Sequence, residues 1–180
     1  RYIIVITTDK VYQNYDKSKY KKETDFLMGD DSYSMSKVAV EKYINFFSKK
    51  NKNIKIITAR AGNVLGGGDW TEKRLVPDIA RAIIKKKNLK LRSTDSVRPW
   101  IHVLDCIHAY LYLASRMKEN IIQNGSSWNI SNIKNKAYKT SDIISLFRKR
   151  LDFNFVKEKN SFIEKKLLML NASKIKKKLN

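Results

Sequence analysis

Apolar positions follow two rhythms along the chain. Tyr2-Ile3-Ile4-Val5-Ile6-Thr7 is an apolar run without polar interruption, which predicts a strand covered on both faces. Between Ser34 and Lys50, Val38, Val40, Tyr43, Ile44 and Phe47 recur near one side at helical spacing. The pattern then predicts a strand over 54–58 and a helix opening at Pro77, striped by Ile79, Ile83 and Ile84. Proline suits a first helical position because the N–H it lacks would have no intrahelical partner there. A short strand follows over 89–92, then a helix over 104–117, a strand over 127–130 and a helix over 141–150. Segments at 153–156 and 167–170 and a terminal Lys-rich helix are shorter and more polar. Strands alternating with helices throughout predict an α/β chain.

Composition narrows the class. With 42% hydrophobic and 11% aromatic residues in 180, the chain is too apolar for a disordered basic tail, and one domain or part of one is expected. Lys and Arg number 38 against 17 Asp and Glu, a formal charge of +21 that would suit a nucleic-acid binder. However, 29 of the 38 are Lys, in short runs such as Lys85-Lys86-Lys87 and Lys176-Lys177-Lys178 at the ends of helical patterns, where cations suit the macrodipole. A solvated surface is therefore the expectation, with no nucleic-acid partner. The lone Cys106 allows no internal disulfide, and no apolar run approaches the roughly 18 residues of a membrane span. A cytoplasmic protein with no membrane partner is the default. There is no His, Cys and Asp cluster at ligand spacing, so no metal is expected.

Two constellations carry chemistry. Thr7-Thr8-Asp9-Lys10 closes the first strand, at the edge where open parallel sheets place ligands. Taken alone, it reads first as an ordinary polar turn. Tyr33 and Lys37, four apart at a helix start, share one face, although a lone Tyr-x-x-x-Lys is common. Together, a strand ending in Thr and a Tyr-x-x-x-Lys helix about 25 residues on resemble the extended short-chain dehydrogenase/reductase superfamily and its NAD-dependent epimerase/dehydratases. Thr58-Ala59-Arg60-Ala61-Gly62-Asn63-Val64-Leu65-Gly66-Gly67-Gly68-Asp69-Trp70, Arg74-Leu75-Val76-Pro77-Asp78 and Arg98-Pro99-Trp100-Ile101-His102 are similar to the nucleotide-sugar 4,6-dehydratases of that family, in particular the branch acting on CDP-glucose.

That resemblance implies an incomplete Rossmann-like doubly wound sheet, its second half over 1–65. A smaller carboxyl-terminal substrate-binding α/β region would span 66–180, with segments returning to the sheet. The Gly-rich βαβ turn that holds a dinucleotide pyrophosphate is not in this sequence, so the chain is expected to be a carboxyl-proximal part. The implied cofactor is NAD, and the implied substrate is CDP-glucose or another nucleotide sugar. Tyr33 would accept the 4-hydroxyl proton, its phenolate favoured by Lys37, while Thr8 bonds the same oxygen. Asp9 and Lys10 would be the acid/base pair for elimination across C5 and C6. Thr7, Ala61 and Gly62, with Tyr33 and Lys37, fall on the cofactor side. Asn63, Arg74, Leu75 and Arg98 fall on the diphosphate side, and Arg92 would stack on the base. His102 reads as readily as a structural hydrogen-bonding residue as a substrate ligand. The Tyr33 helix has a second apolar face with Tyr43, Phe46 and Phe47, which simple packing against further sheet would also explain; the resemblance implies a homodimer through it. An epimerase on the same scaffold and a basic nucleic-acid-binding domain are the competing readings.

Overall fold

In the computed structural model, residues 1–13, 20–132, 134–158 and 167–179 are described. Their elements run β1 (Tyr2–Thr8), a 3-10 turn (Asp9–Val11), α1 (Ser32–Lys50), β2 (Lys55–Ala61), β3 (Asn63–Leu65), α2 (Leu75–Ile84), β4 (Leu89–Leu91), β5 (Val97–Arg98) and β6 (Trp100–His102). They continue with α3 (Val103–Lys118), β7 (Ser127–Ile130), β8 (Tyr138–Lys139), α4 (Thr140–Arg148), β9 (Phe155–Lys157) and α5 (Ser173–Leu179). The α/β class expected from the pattern is the one observed, with a parallel sheet of order β1-β2-β7 at its centre.

Register sorts the two faces of that sheet. Thr7 pairs with Arg60, Val5 with Thr58, Thr58 with Ser127, and Arg60 with Asn129. Because side chains alternate along a strand, Thr7, Thr58, Arg60, Ser127 and Asn129 all project to one face. The other face carries Ile57, Ala59, Ala61, Trp128 and Ile130, which pack with Cys106, Leu113 and Met117 of α3 into the main core. A second apolar cluster, with Ile79 and Ala82 of α2, Leu89 and Leu91 of β4, Ile144 of α4 and Phe153, forms a separate core. Small sheets β3-β6, β4-β9 and β5-β8 organise the region between and around these cores.

Several boundaries differ from the sequence pattern, each for a local reason. The second strand extends to Ala61, three residues past the expected end, because Thr58 and Arg60 find buried polar partners on the α1 face. Helix α2 begins at Leu75, so Pro77 is its third residue; it is still among the first four positions, whose N–H groups have no intrahelical acceptor. On α1 the buried side is Ser34, Val38, Glu41, Ile44 and Ser48, while Tyr43, expected inward, is 61% exposed. Asp31 caps this helix, its carboxylate accepting from Ser34 N, in a reciprocal capping box. Strands β3, β5, β6 and β8 have only two or three residues, too few for a periodic signal.

Candidate active site

The carboxyl end of β1 delivers Thr8, Asp9 and Lys10 in the 3-10 turn. Thr8 caps that turn: its Oγ1 donates to Asp9 Oδ1 at 3.1 Å and accepts from Lys10 N at 3.3 Å. Thr8 and Asp9 are buried, whereas Lys10 is exposed. The first turns of α1 bring Tyr33 and Lys37 to the same place. Tyr33 is half exposed, with Lys37 Nζ 5.8 Å and Lys10 Nζ 5.9 Å from its ring centroid. One phenol ring thus has a lysine Nζ from each segment within 6 Å, and Lys10 directly follows the buried Thr8–Asp9 pair in the chain. Such a group of side chains can accept a proton at the phenol and donate or accept at the acid and amine.

Thr8 is in register with Ala61, the last residue of β2; Gly62 follows, and Asn63 opens β3. Gly62 N donates to Ile130 O at 3.2 Å, and a Cβ at Gly62 would meet the Pro99 carbonyl and lie 2.7 Å from Pro99 Cγ. Only glycine therefore lets β2 pass this close to the Arg98–Pro99 turn. Beyond it lies a cleft of about 100 Å³ whose lining includes Asn63, Arg74, Leu75, Arg92 and Arg98, so five of the six residues expected on the substrate side are gathered. Arg98 is buried and donates to Val97 O at 2.8 Å; Arg92 is exposed and donates to Lys73 O at 3.0 Å. Arginines around a narrow polar cleft suit a diphosphate. His102 stands apart. It caps α3, its Nδ1 accepting from Leu104 N at 3.2 Å, and it lines a different cavity of about 510 Å³ with Asp105 and His108.

The structure also shows a buried ion pair that the sequence pattern did not single out. Glu41 of α1 and Arg60 of β2 approach to 2.8 Å with side chains 2% and 3% exposed. The Glu41 carboxylate accepts from Thr7 Oγ1 (2.5 Å), Thr58 Oγ1 (2.7 Å), Arg60 Nε (3.0 Å) and Nη2 (2.8 Å), and Ser127 Oγ (3.2 Å). The hydroxyl of Thr7, expected on the cofactor side, is thereby engaged with Glu41. Arg60 Nη1 donates to Tyr12 Oη at 2.8 Å, and Tyr12 donates to Asn129 Oδ1 at 2.6 Å. Burial disfavours the charged carboxylate of Glu41, yet the hydrogen bonds and charge of Arg60, with Thr7 and Thr58, outweigh it and hold the group below the usual carboxylate range. Burial pushes the Tyr12 phenol up, so it stays neutral and serves as a relay of hydrogen bonds. A signal was present: Glu41 occupies a stripe position of an otherwise packed helix face, and Arg60 interrupts the apolar run of β2.

No helix among the described residues is long and apolar enough to cross a membrane, and among them no group of three or more His, Cys, Asp or Glu could hold a metal ion.

Known proteins share this architecture. The chain is 34% identical over 135 residues to the CDP-glucose 4,6-dehydratase of Salmonella typhimurium, an alignment covering 71% of this chain and 38% of that protein. The UDP-glucuronic acid 4-epimerase of Bacillus cereus, solved with UDP-glucuronic acid and NAD, superposes with a TM-score of 0.83 at 23% identity, over 98% of this chain and 54% of the epimerase. The dTDP-glucose 4,6-dehydratase of Bacillus anthracis, solved with NAD, gives a TM-score of 0.80 at 22% identity, again over 98% of this chain and 54% of the other. The chain thus spans little more than a third of the curated dehydratase and about half of each solved relative. The model of the NAD dependent epimerase/dehydratase family matches residues 1–131, and the chain belongs to that family.

Proposed function

We propose that this chain is the carboxyl-proximal part of an NAD-dependent lyase that converts CDP-glucose to CDP-4-keto-6-deoxyglucose and water. The observation that carries the proposal is that Lys10 Nζ, from the turn that follows Thr8 and Asp9, and Lys37 Nζ both lie within 6 Å of the Tyr33 ring centroid, at the sheet edge from which β2 leads into the arginine-lined cleft. Likeness to the Salmonella dehydratase supports the choice of base and sugar. Residues 1–65 would then belong to the dinucleotide-binding sheet and 66–180 mainly to the nucleotide-sugar lobe, with β7 returning to the sheet. Strand β1 is an edge among the described residues and leaves Ile3 and Ile6 exposed, as suits a strand onto which further sheet is added.

An exposed phenol and an ammonium at the carboxyl edge of a parallel sheet fit the ribose hydroxyls and nicotinamide of a dinucleotide, and Tyr33, Lys37, Ala61 and Gly62 would hold that end. When bound, NAD would supply the hydride acceptor for C4 and the hydride donor for C6. Tyr33, with Lys37 Nζ 5.8 Å from its ring centroid, takes the proton of the 4-hydroxyl, and Thr8 orients the same oxygen. With C4 a ketone, the C5 proton is acidic; Lys10, as its free amine, takes it and gives it back to C5 when C6 is reduced, while Asp9 protonates the departing C6 hydroxyl. Asn63, Arg74 and Arg98 hold the diphosphate, Leu75 bounds the cleft and Arg92 lies on the base. An acid/base pair aimed at C5 and C6 favours dehydration over epimerisation, which has no use for it. Exposed Tyr43 and Phe46 on α1, 61% and 60% accessible, suit a homodimer through this helix.

The test mixes the full-length gene product, loaded with NAD, with CDP-glucose. A transient rise in enzyme-bound NADH and release of a 4-keto-6-deoxy product are expected. Stoichiometric release of NADH would replace the dehydratase reading with a simple dehydrogenase, and equal turnover of a uridine or thymidine diphosphosugar would overturn the choice of base.

A further inference from the structure

The proposed first step requires two segments at a fixed separation: the end of β1 with its 3-10 turn, carrying Thr8, Asp9 and Lys10, and the start of α1, carrying Tyr33 and Lys37. Neither segment alone sets that separation. The stretch from Thr8 to Val11 is flanked by Thr7 before it and Tyr12 after it, and both hydroxyls engage one ion pair. Thr7 donates to Glu41, and Tyr12 accepts from Arg60. Glu41 lies eight residues beyond Tyr33 and four beyond Lys37, so all three occupy one side of α1, within about 12 Å along its axis. The same carboxylate bonds Thr58 of β2 and Ser127 of β7, which ties the helix to all three strands of the central sheet.

We infer that Glu41 and Arg60 are a positioning pair, which clamps both ends of the Thr8-Asp9-Lys10 turn to the helix of Tyr33 and Lys37 and so sets the geometry of proton abstraction. This rests on the function proposed above. Stability alone does not account for the pair, since a well-packed apolar pair at a buried site is commonly as stable as an ionic one. Direction does account for it. The guanidinium fork and the carboxylate permit few relative orientations, whereas apolar side chains permit many. The pair touches neither the reacting sugar nor the cofactor in this reading; it acts through Thr7, Tyr12 and the helix.

Two variants of the full-length gene product test this, Glu41→Leu with Arg60→Met, and the milder Tyr12→Phe. In each, bound-NAD reduction should slow by about tenfold to a hundredfold, as expected for a reacting group misplaced by an ångström or less. KM for CDP-glucose should stay within about twofold, because the diphosphate cleft is untouched. Hydrogen exchange, which needs no substrate, should show protection lost at 8–12 and at 33–37 while α3 and β7 keep theirs. Wild-type rates, or protection lost evenly over the whole domain, would overturn the positioning role. If the double variant does not fold, Tyr12→Phe decides by the same outcomes. If the wild-type enzyme does not reduce its NAD with any nucleotide sugar, the proposed function fails, and hydrogen exchange still decides whether the pair clamps the two segments.

Discussion

Replacing Glu41 by Gln is the sharpest perturbation of this fold, because it preserves shape and removes only charge. The carboxylate accepts from Thr7, Thr58, Ser127 and both Nε and Nη2 of Arg60, so an amide would turn its NH2 group toward groups that are themselves donors. Arg60, 3% exposed, would be left as a buried cation without its anion. At an effective dielectric near 20, charges about 4 Å apart attract by about 4 kcal/mol, and breaking one partner of a buried pair costs about 3–5 kcal/mol. With a urea slope of about 2 kcal/mol/M, the unfolding midpoint should fall by about 2 M. The pH dependence has a definite sign. The folded state holds Glu41 below its unfolded value of about 4.3, so its contribution is complete above that value and is lost as pH falls through the folded one. Wild type and variant should therefore differ by a constant amount at neutral pH and converge in acid. A cost under about 1 kcal/mol, the range of exposed pairs, or a difference that persists unchanged to about pH 3, would refute the account.

Further outcomes follow from the site. Tyr33→Phe should lower bound-NAD reduction by about a hundredfold or more, the scale of a lost general base, whereas Asp9→Asn should still reduce NAD and stall at the 4-keto hexose; stopped-flow absorbance with product analysis separates the two. Gly62→Ala should cost about 1–3 kcal/mol by overpacking against Pro99 and raise KM for the nucleotide sugar by displacing Arg98, as thermal unfolding and steady-state kinetics would show. Phe46→Glu should convert a dimeric full-length protein to monomer in light scattering; a wild type that is already monomeric would exclude α1 as the interface.

Secondary structure was largely legible in the sequence where burial imposes a period. β1, α1, β4, α3 and β7 lie where alternation and helical spacing put them, because each has an apolar face that must be covered. Thr8, Asp9, Lys10, Tyr33 and Lys37 were legible as short motifs because they are close in sequence within two segments. Their meeting around one phenol was legible only through the family resemblance and not from periodicity, since 22 residues separate Lys10 from Tyr33 in the numbering and only the packing of α1 on β1 and β2 brings them together. The inward side of α1 likewise depended on tertiary structure. Tyr43 fits an apolar stripe by pattern, but the sheet face that α1 covers is lined with Thr7, Thr58, Arg60 and Ser127, and a carboxylate satisfies those donors where an aromatic ring could not. Local sequence thus determined which elements form; long-range polar complementarity, which no periodicity records, decided how they are held together at the site.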